Sequence, residues 1–292
     1  MYVSDRVAGA VTVCVADSTT GALGNCSAPV TGFSMPTDIT ISGSNAYVAN
    51  FGNGTVSRCA IGTDGTLAGC ANTGVLNLNQ PTDVVVNGSV AYVVNFGASS
   101  ITRCAVDAAT GALSSCTDSG ATGLVGPIGM EIKGNHAYIS NLTDSSISQC
   151  AIDAATGALT CPTNRHYNGL GLFSPYSVTI NGNNLYVLNQ GAAATTTTAL
   201  TQSTITRCTL DAATGDIVAG SCATEADVSV PGTSPTDWFQ FNRMVIRNNT
   251  AYITARSINK VVQCSVNATT GALSGCAAST PAFNAANGIA IR

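Results

Sequence analysis

The chain has 292 residues, of which only 9% are charged, and its net charge is −4. Soluble domains average about 25% charged residues, so solubility here must rest on Ser, Thr, Asn and Gly. The eleven Lys and Arg residues are scattered, which argues against nucleic acid as a partner, and no apolar run approaches the roughly 20 residues that would span a bilayer.

The first strand-like segment begins at Tyr2-Val3, and the same Tyr-Val or Tyr-Ile pair returns at Tyr47, Tyr92, Tyr138, Tyr186 and Tyr252, at spacings of 45, 45, 46, 48 and 66 residues. Each Tyr opens the same downstream order. In the third unit this reads Ala91-Tyr92-Val93-Val94-Asn95, then Ser100-Ile101-Thr102-Arg103-Cys104-Ala105-Val106-Asp107, a turn at Ala108-Ala109-Thr110-Gly111, and Leu113 to Cys116. A looser stretch leads to Pro127 and an apolar run ending at Ile132. The segments are five to seven residues long and rich in Val, Ile, Thr and Tyr, so they predict strands rather than helices. Four strands in about 45 residues is the size of one propeller blade. The predicted fold is therefore all-β, a six-bladed propeller forming one domain over 1–292, with repeats beginning near 1, 46, 91, 137, 185 and 251.

Ring closure is also predicted. An apolar strand precedes each later Tyr strand, as Asp38-Ile39-Thr40-Ile41 precedes Tyr47, but none precedes Tyr2. The chain ends instead on an orphan segment of that type, Gly288-Ile289-Ala290-Ile291, so 287–292 is expected to complete the blade that Tyr2 begins. That pairing would leave no open edge at the join.

Twelve cysteines fall two per repeat. Each pair brackets the turn between the third and outermost strands, which would set the two cysteines opposite one another within disulfide reach. The expected bridges are Cys14–Cys26, Cys59–Cys70, Cys104–Cys116, Cys150–Cys161, Cys208–Cys222 and Cys264–Cys276. The spacing is not that of zinc sites, and two histidines cannot complete six of them, so no metal and no cofactor are expected. Six disulfides point to an extracellular or cell-surface location, or the periplasm. The residues Met1 to Asp5 lack signal-peptide character, so an export signal would have been removed or lie upstream. Asn-x-Ser/Thr sequons occur at Asn25, Asn53, Asn87, Asn141, Asn248 and Asn267, about as many as chance gives for this composition.

Candidate functional residues fall in two groups. Asp38, Asp83 and Arg243 open innermost strands and differ from blade to blade, so they are expected to rim the central channel and could hold a cation or a polar ligand. The second group lies where the repeat is broken: the insertion 191–203, the segment carrying Trp238, Phe239 and Phe241, and the loop carrying His166 and Tyr167. These irregular segments are expected to cluster on one face, where aromatics could stack on a sugar or anchor a protein.

The motif Ala-Tyr-Val-x-Asn, Arg-Cys-x-Val-Asp and Thr-Gly-x-Leu-x-x-Cys resembles the YVTN-type β-propeller repeat, in its cysteine-bearing secreted or surface bacterial variety. The resemblance implies the propeller fold over essentially the whole chain. The wider group includes lactonase-like propellers, surface-layer proteins and binding scaffolds. With no acid and histidine constellation evident, the chain is expected to be no enzyme but an extracellular structural or interaction scaffold, able to self-assemble as a homopolymer into a surface fibre or layer, since low charge opposes packing little. The alternatives are a propeller that binds a cell-surface glycan or protein through its irregular face and, less favoured, a lactonase-like hydrolase.

Overall fold

The structure, a computed structural model, describes residues 1–17, 20–191, 203–225, 240–279 and 281–292. Six antiparallel blades, each built on a path of four strands, form the ring, and blade 4 carries a fifth short strand beside its third. Blade 2 is representative: Pro36–Ser42 innermost, then Asn45–Asn50, Thr55–Ile61 and Leu67–Asn72. The innermost strands of the next four blades are Pro81–Asn87, Pro127–Lys133, Pro175–Asn181 and Phe241–Arg247. In blade 1 that place is taken by the C-terminal Ala286–Ala290, which pairs antiparallel with Tyr2–Asp5 in the register Tyr2↔Ala290 and Val3↔Ile289. The six inner strands touch in cyclic order, so the ring is closed. No helix of the described residues is long and apolar enough to cross a membrane.

The repeated tyrosine explains how neighbouring blades hold together. Tyr47 is fully buried among apolar residues of its own blade and the next, including Val84, Ala91, Val93 and Cys104. Burying each such Val or Ile contributes about 1.5–3 kcal/mol, and a buried tyrosine hydroxyl needs a partner. It finds one in the next blade's outer turn. Tyr47 donates to Gly111 O at 2.7 Å, Tyr92 to Gly157 O at 2.8 Å, Tyr138 to Gly215 O at 2.5 Å and Tyr186 to Gly271 O at 2.7 Å. Gly111 adopts φ +72°, a left-handed conformation that favours glycine. Asp107 shapes the same turn by accepting from Thr110 N and Thr110 Oγ1, each at 2.7 Å. Arg58 and Arg103 reach the adjoining carbonyls of Thr110 and Thr156, which makes these arginines blade-to-blade ties.

Disulfides join Cys14 to Cys26, Cys59 to Cys70, Cys104 to Cys116, Cys150 to Cys161, Cys208 to Cys222 and Cys264 to Cys276. Each ties a third strand to the chain beyond its turn. Closing such a loop of about a dozen residues stabilises by roughly 3 kcal/mol in the chain-entropy account.

Candidate functional site

Every inner strand carries a β-bulge near its start. In blade 2 the register jumps between Pro36↔Asn50 and Asp38↔Ala49, and blades 3 to 5 repeat it. A bulge re-aims the side chain that follows it, and here the third strand residue enters the channel. Around the ring these residues are Asp38, Asp83, Gly129, Ser177, Arg243 and Gly288. They form one packed layer. The Arg243 guanidinium spans the channel, two acids face it, and small residues leave it room.

The two glycines are required by that packing. A Cβ on Gly129 would lie 2.9 Å from Ser177 Cα and from Tyr176 O, and one on Gly288 would lie 2.6 Å from Asp38 Cα. Arg243 is only 6% exposed. Its Nε donates to Asp38 Oδ1 at 3.1 Å, its Nη1 to Tyr176 O at 3.2 Å, and its Nη2 to Thr82 O at 2.8 Å and Ile128 O at 3.1 Å. Asp83 Oδ2 lies 3.2 Å from Nη2 and accepts from Met130 N at 2.8 Å. One side chain thus ties together the inner strands of five blades.

Burial, reinforced by the charge and hydrogen bond of Asp38, holds the Asp83 pKa well above the usual carboxylate range against the pull of Arg243. Arg243 stays charged, because its two acids outweigh the burial that opposes its charge. With Asp83 Oδ2 occupied by Met130 and Arg243, its other oxygen is left to carry a proton towards Asp38. Burial and the facing Asp38 therefore favour the protonated form of Asp83.

Beyond this layer the channel widens into a cavity of about 210 Å³, bounded by Asp38, Asp83, Arg243, Glu131, Thr179 and apolar residues such as Val85. Glu131 stands two residues after Gly129, on the same face of its strand. Burial is the main reason its pKa is raised from the usual 4.5 to about 7, with a smaller push from Asp38. One wall thus carries a carboxyl half ionised near neutrality, and the cavity floor carries Asp83, whose protonated form is favoured, beside a guanidinium. Such a separation of environments is what acid–base chemistry at neutral pH requires.

The structure brings Asp38, Asp83 and Arg243 together but engages them with one another, so they are not an open cation site. The aromatic expectation needs correction. Phe241 is fully buried in the core of blade 6, against Met244, Ala255 and Val262. Trp238 and Phe239, and most of the 191–203 insertion, lie outside the described residues. His166 and Tyr167 form a short strand on the outer side of blade 4, paired with Ser148 and Ile147, away from the channel. His166 Nε2 lies 2.9 Å from Asp144 Oδ2, and Tyr167 donates to Gln149 Oε1 at 3.0 Å. Among the sequons, Asn141 is wholly buried and its amide is bonded to Ser146 and Ser148, so it is no glycan acceptor in the folded chain. Asn25, Asn53, Asn87, Asn248 and Asn267 are exposed. In the sequence Glu131 was one of several groups on offer for proton transfer, with His136, His166, Glu225 and scattered Asp, and it was not singled out. Its signal was an acid within an apolar inner strand, Met130-Glu131-Ile132.

The family model described as Lactonase, 7-bladed beta-propeller, matches residues 1–284. That match overturns the expectation of a non-enzymatic scaffold and of a chain that is no enzyme; nothing in the structure supports a homopolymer. The reason the sequence misled is that the channel acids and Arg243 lie in different blades and form no local motif. No curated protein sequence matches the chain. Solved structures share the fold at low identity. A protein of Bacteroides uniformis named as a candidate 6-phosphogluconolactonase aligns with TM-score 0.63 and 18% identity, over 97% of this chain and 82% of the other. The periplasmic gluconolactonase PpgL of Pseudomonas aeruginosa gives TM-score 0.62 and 15% identity, over 95% and 78%. A chain of the nidogen/laminin complex gives TM-score 0.64 and 11% identity, over 95% and 97%. With its family match running over nearly the whole length, the chain belongs to the lactonase family of seven-bladed β-propellers, closed here with six blades.

Proposed function

We propose that the protein is a lactone hydrolase acting in the channel cavity beside Arg243. The observation that carries the reading is the pairing, across one cavity, of Glu131, with its pKa raised to about 7, and the Asp38–Asp83 pair. Family membership sets the reaction class, and the gluconolactonase named among the structural neighbours suggests a sugar lactone. A cavity of about 210 Å³ would take a single ring.

In this mechanism ionised Glu131 takes a proton from water as the water oxygen bonds to the lactone carbonyl carbon. The carbonyl π electrons move onto oxygen. When that tetrahedral adduct collapses, the bond from the carbonyl carbon to the ring oxygen breaks, and the ring oxygen takes the proton held by Asp83. The product is a hydroxy acid, which loses its proton to water, while the proton on Glu131 returns to the acid pair through solvent. Arg243 holds that pair in place and offsets its charge. General acid–base assistance of this kind is worth about 10²–10⁴-fold.

The finer reading of the sequence, a cysteine-bearing YVTN-type propeller of bacterial secreted or surface proteins, belongs to this proposal. So does a location outside the cytoplasm, which six disulfides favour. The test is hydrolysis of a panel of aldonolactones and simpler γ- and δ-lactones by the oxidised protein and by Glu131→Gln. Turnover that falls by about 10²-fold or more in the variant supports the assignment. Absence of turnover on the whole panel, or full activity in the variant, overturns it.

A further inference from the structure

The channel has a second mouth, on the face where the inner strands begin. Six residues rim it, each placed by the same backbone contact. Arg6 N donates to Ala285 O, Phe51 N to Met35 O, Phe96 N to Gln80 O, Leu142 N to Gly126 O, Gln190 N to Ser174 O, and Arg256 N to Gln240 O. Each is the fourth residue after a repeat tyrosine. The six are equivalent in backbone and unlike in chemistry. The two arginines stand on neighbouring blades, 6 and 1, and all six are only partly exposed.

Arg6 and Arg256 make no ion pair with a carboxylate among the described residues. The Arg6 guanidinium lies over the Phe51 ring, with its Cζ 4.4 Å from the centroid. That stacking fixes the guanidinium plane; one N–H is hydrogen-bonded to the Tyr176 side chain, and the others remain for a planar oxyanion. Burial lowers the Arg6 pKa, Tyr176 opposes the shift, and Arg256 adds to it. Two partly desolvated cations beside one another are an arrangement that an anion would relieve.

An independent observation falls on the same two blades. Asn242 and Asn287 occupy the second position of the inner strands of blades 6 and 1, and both are fully buried. Asn242 Oδ1 accepts from Gln190 Nε2 of the rim at 2.7 Å, but Asn242 Nδ2 has no partner, and neither do Asn287 Nδ2 and Asn287 Oδ1. Buried amides are almost always satisfied. A bare oxyanion would serve the two Nδ2 donors and not Asn287 Oδ1, which needs a donor. A hydroxyl both donates and accepts.

We infer that the mouth rimmed by Arg6 and Arg256 binds a small hydroxy-carboxylate, its carboxylate on the two guanidinium groups and its hydroxyls on Asn242 and Asn287. This site is separate from the cavity lined by Glu131, because the Arg243 layer lies between them. It rests on the proposed activity in one respect: a hydroxy acid is what opening a lactone would release, so the ligand class matches that product. The binding itself does not depend on that reaction.

The test is calorimetric titration of the oxidised protein with gluconate, with sorbitol and inorganic phosphate as comparison probes. Gluconate is expected to bind, with affinity falling at least tenfold in Arg6→Gln and in Arg256→Gln and by a similar factor in Asn287→Leu, while sorbitol gives no heat. Arg6→Gln alters a partly exposed side chain, and a near-ultraviolet spectrum like that of the parent establishes that it folds. Lactone turnover is expected to be unchanged in Arg6→Gln, so loss of gluconate binding there separates this site from the catalytic cavity. Gluconate binding that survives both arginine variants overturns the assignment, as does no binding at all. Phosphate binding as tightly as gluconate overturns the hydroxy-acid class and leaves a plain anion site. If no lactone is hydrolysed but gluconate binds in an arginine-dependent way, the activity fails and this site stands.

Discussion

Tyr252 of the last blade donates its hydroxyl to the carbonyl of Gly21 in the first, at 3.1 Å. This is the bond that Tyr47 makes to Gly111 at 2.7 Å between blades 2 and 3, carried across the ring closure. Tyr2 continues the series to Gly65 at 2.8 Å. The join is thus held twice, by strand pairing at the channel and by this clasp further out, and the last blade grips the first as every other blade grips its successor.

Replacing Tyr47 with Phe removes a buried donor and leaves the Gly111 carbonyl without it. Such a change is expected to cost about 0.5–1.5 kcal/mol, and more when the acceptor stays dry. Tyr252→Phe should cost less, since Gly21 O also accepts from Gln263 Nε2. Urea unfolding of the two oxidised variants checks the order.

Glu131 links activity to stability. Its pKa is about 7 in the folded chain and 4.5 ordinarily. Between those values the native state holds a proton that the unfolded chain has released, so stability falls as pH rises through that window. The full effect is at most about 3 kcal/mol. Glu131→Gln is expected to flatten this pH dependence and to be more stable than the parent at pH 8, while activity drops. For the parent, kcat/KM should rise with pH through about 7 as Glu131 ionises. Unfolding curves and pH–rate profiles of both proteins test the two limbs.

Arg243→Met should be severely destabilising at neutral pH. It leaves Asp38 and Asp83 buried without their cation and frees the carbonyls of Thr82, Ile128 and Tyr176. Breaking a buried ion pair from one side costs about 3–5 kcal/mol. Adding Asp38→Asn to Arg243→Met should recover a substantial part, because the stranded charge is gone. The recovery is read from the shift in urea midpoint.

Gly288→Ala probes the closing strand. The new Cβ would meet Asp38 Cα at 2.6 Å and Ser4 Oγ at 2.8 Å, and backbone cannot yield as a flexible side-chain tip does. A loss of about 1–3 kcal/mol is expected, with protection of the Tyr2–Asp5 amides reduced first in hydrogen exchange.

Much of the fold was legible because each blade repeats one local grammar. The Tyr-Val pairs marked second strands, the Asp-Ala-Ala-Thr-Gly turns marked outer hairpins, and Gly288-Ile289-Ala290-Ile291 announced the closing strand. The site was only partly legible. Asp38, Asp83 and Arg243 stood out as variable inner-strand positions, but their mutual engagement was hidden, and Glu131 was only one of several scattered groups on offer for proton transfer. Phe241 looked like surface because it follows an irregular segment, yet it begins an inner strand and fills a core. Asn141 looked like a glycan acceptor because a three-residue motif carries no information on burial.

Strand period, turn chemistry and cysteine spacing act over a few neighbouring residues, so the sequence by itself determined the blade, the number of blades, the bridge in each blade and the closure. The channel is different. Its layer is assembled from residues 38, 83, 129, 177, 243 and 288, one from each blade. Their charges shift one another only at hydrogen-bond distance in a dry interior, where desolvation is large and a single guanidinium can serve two acids and three carbonyls. Which acid's pKa is raised, and which mouth sets two arginines on neighbouring blades, was decided only when six local units closed into one ring.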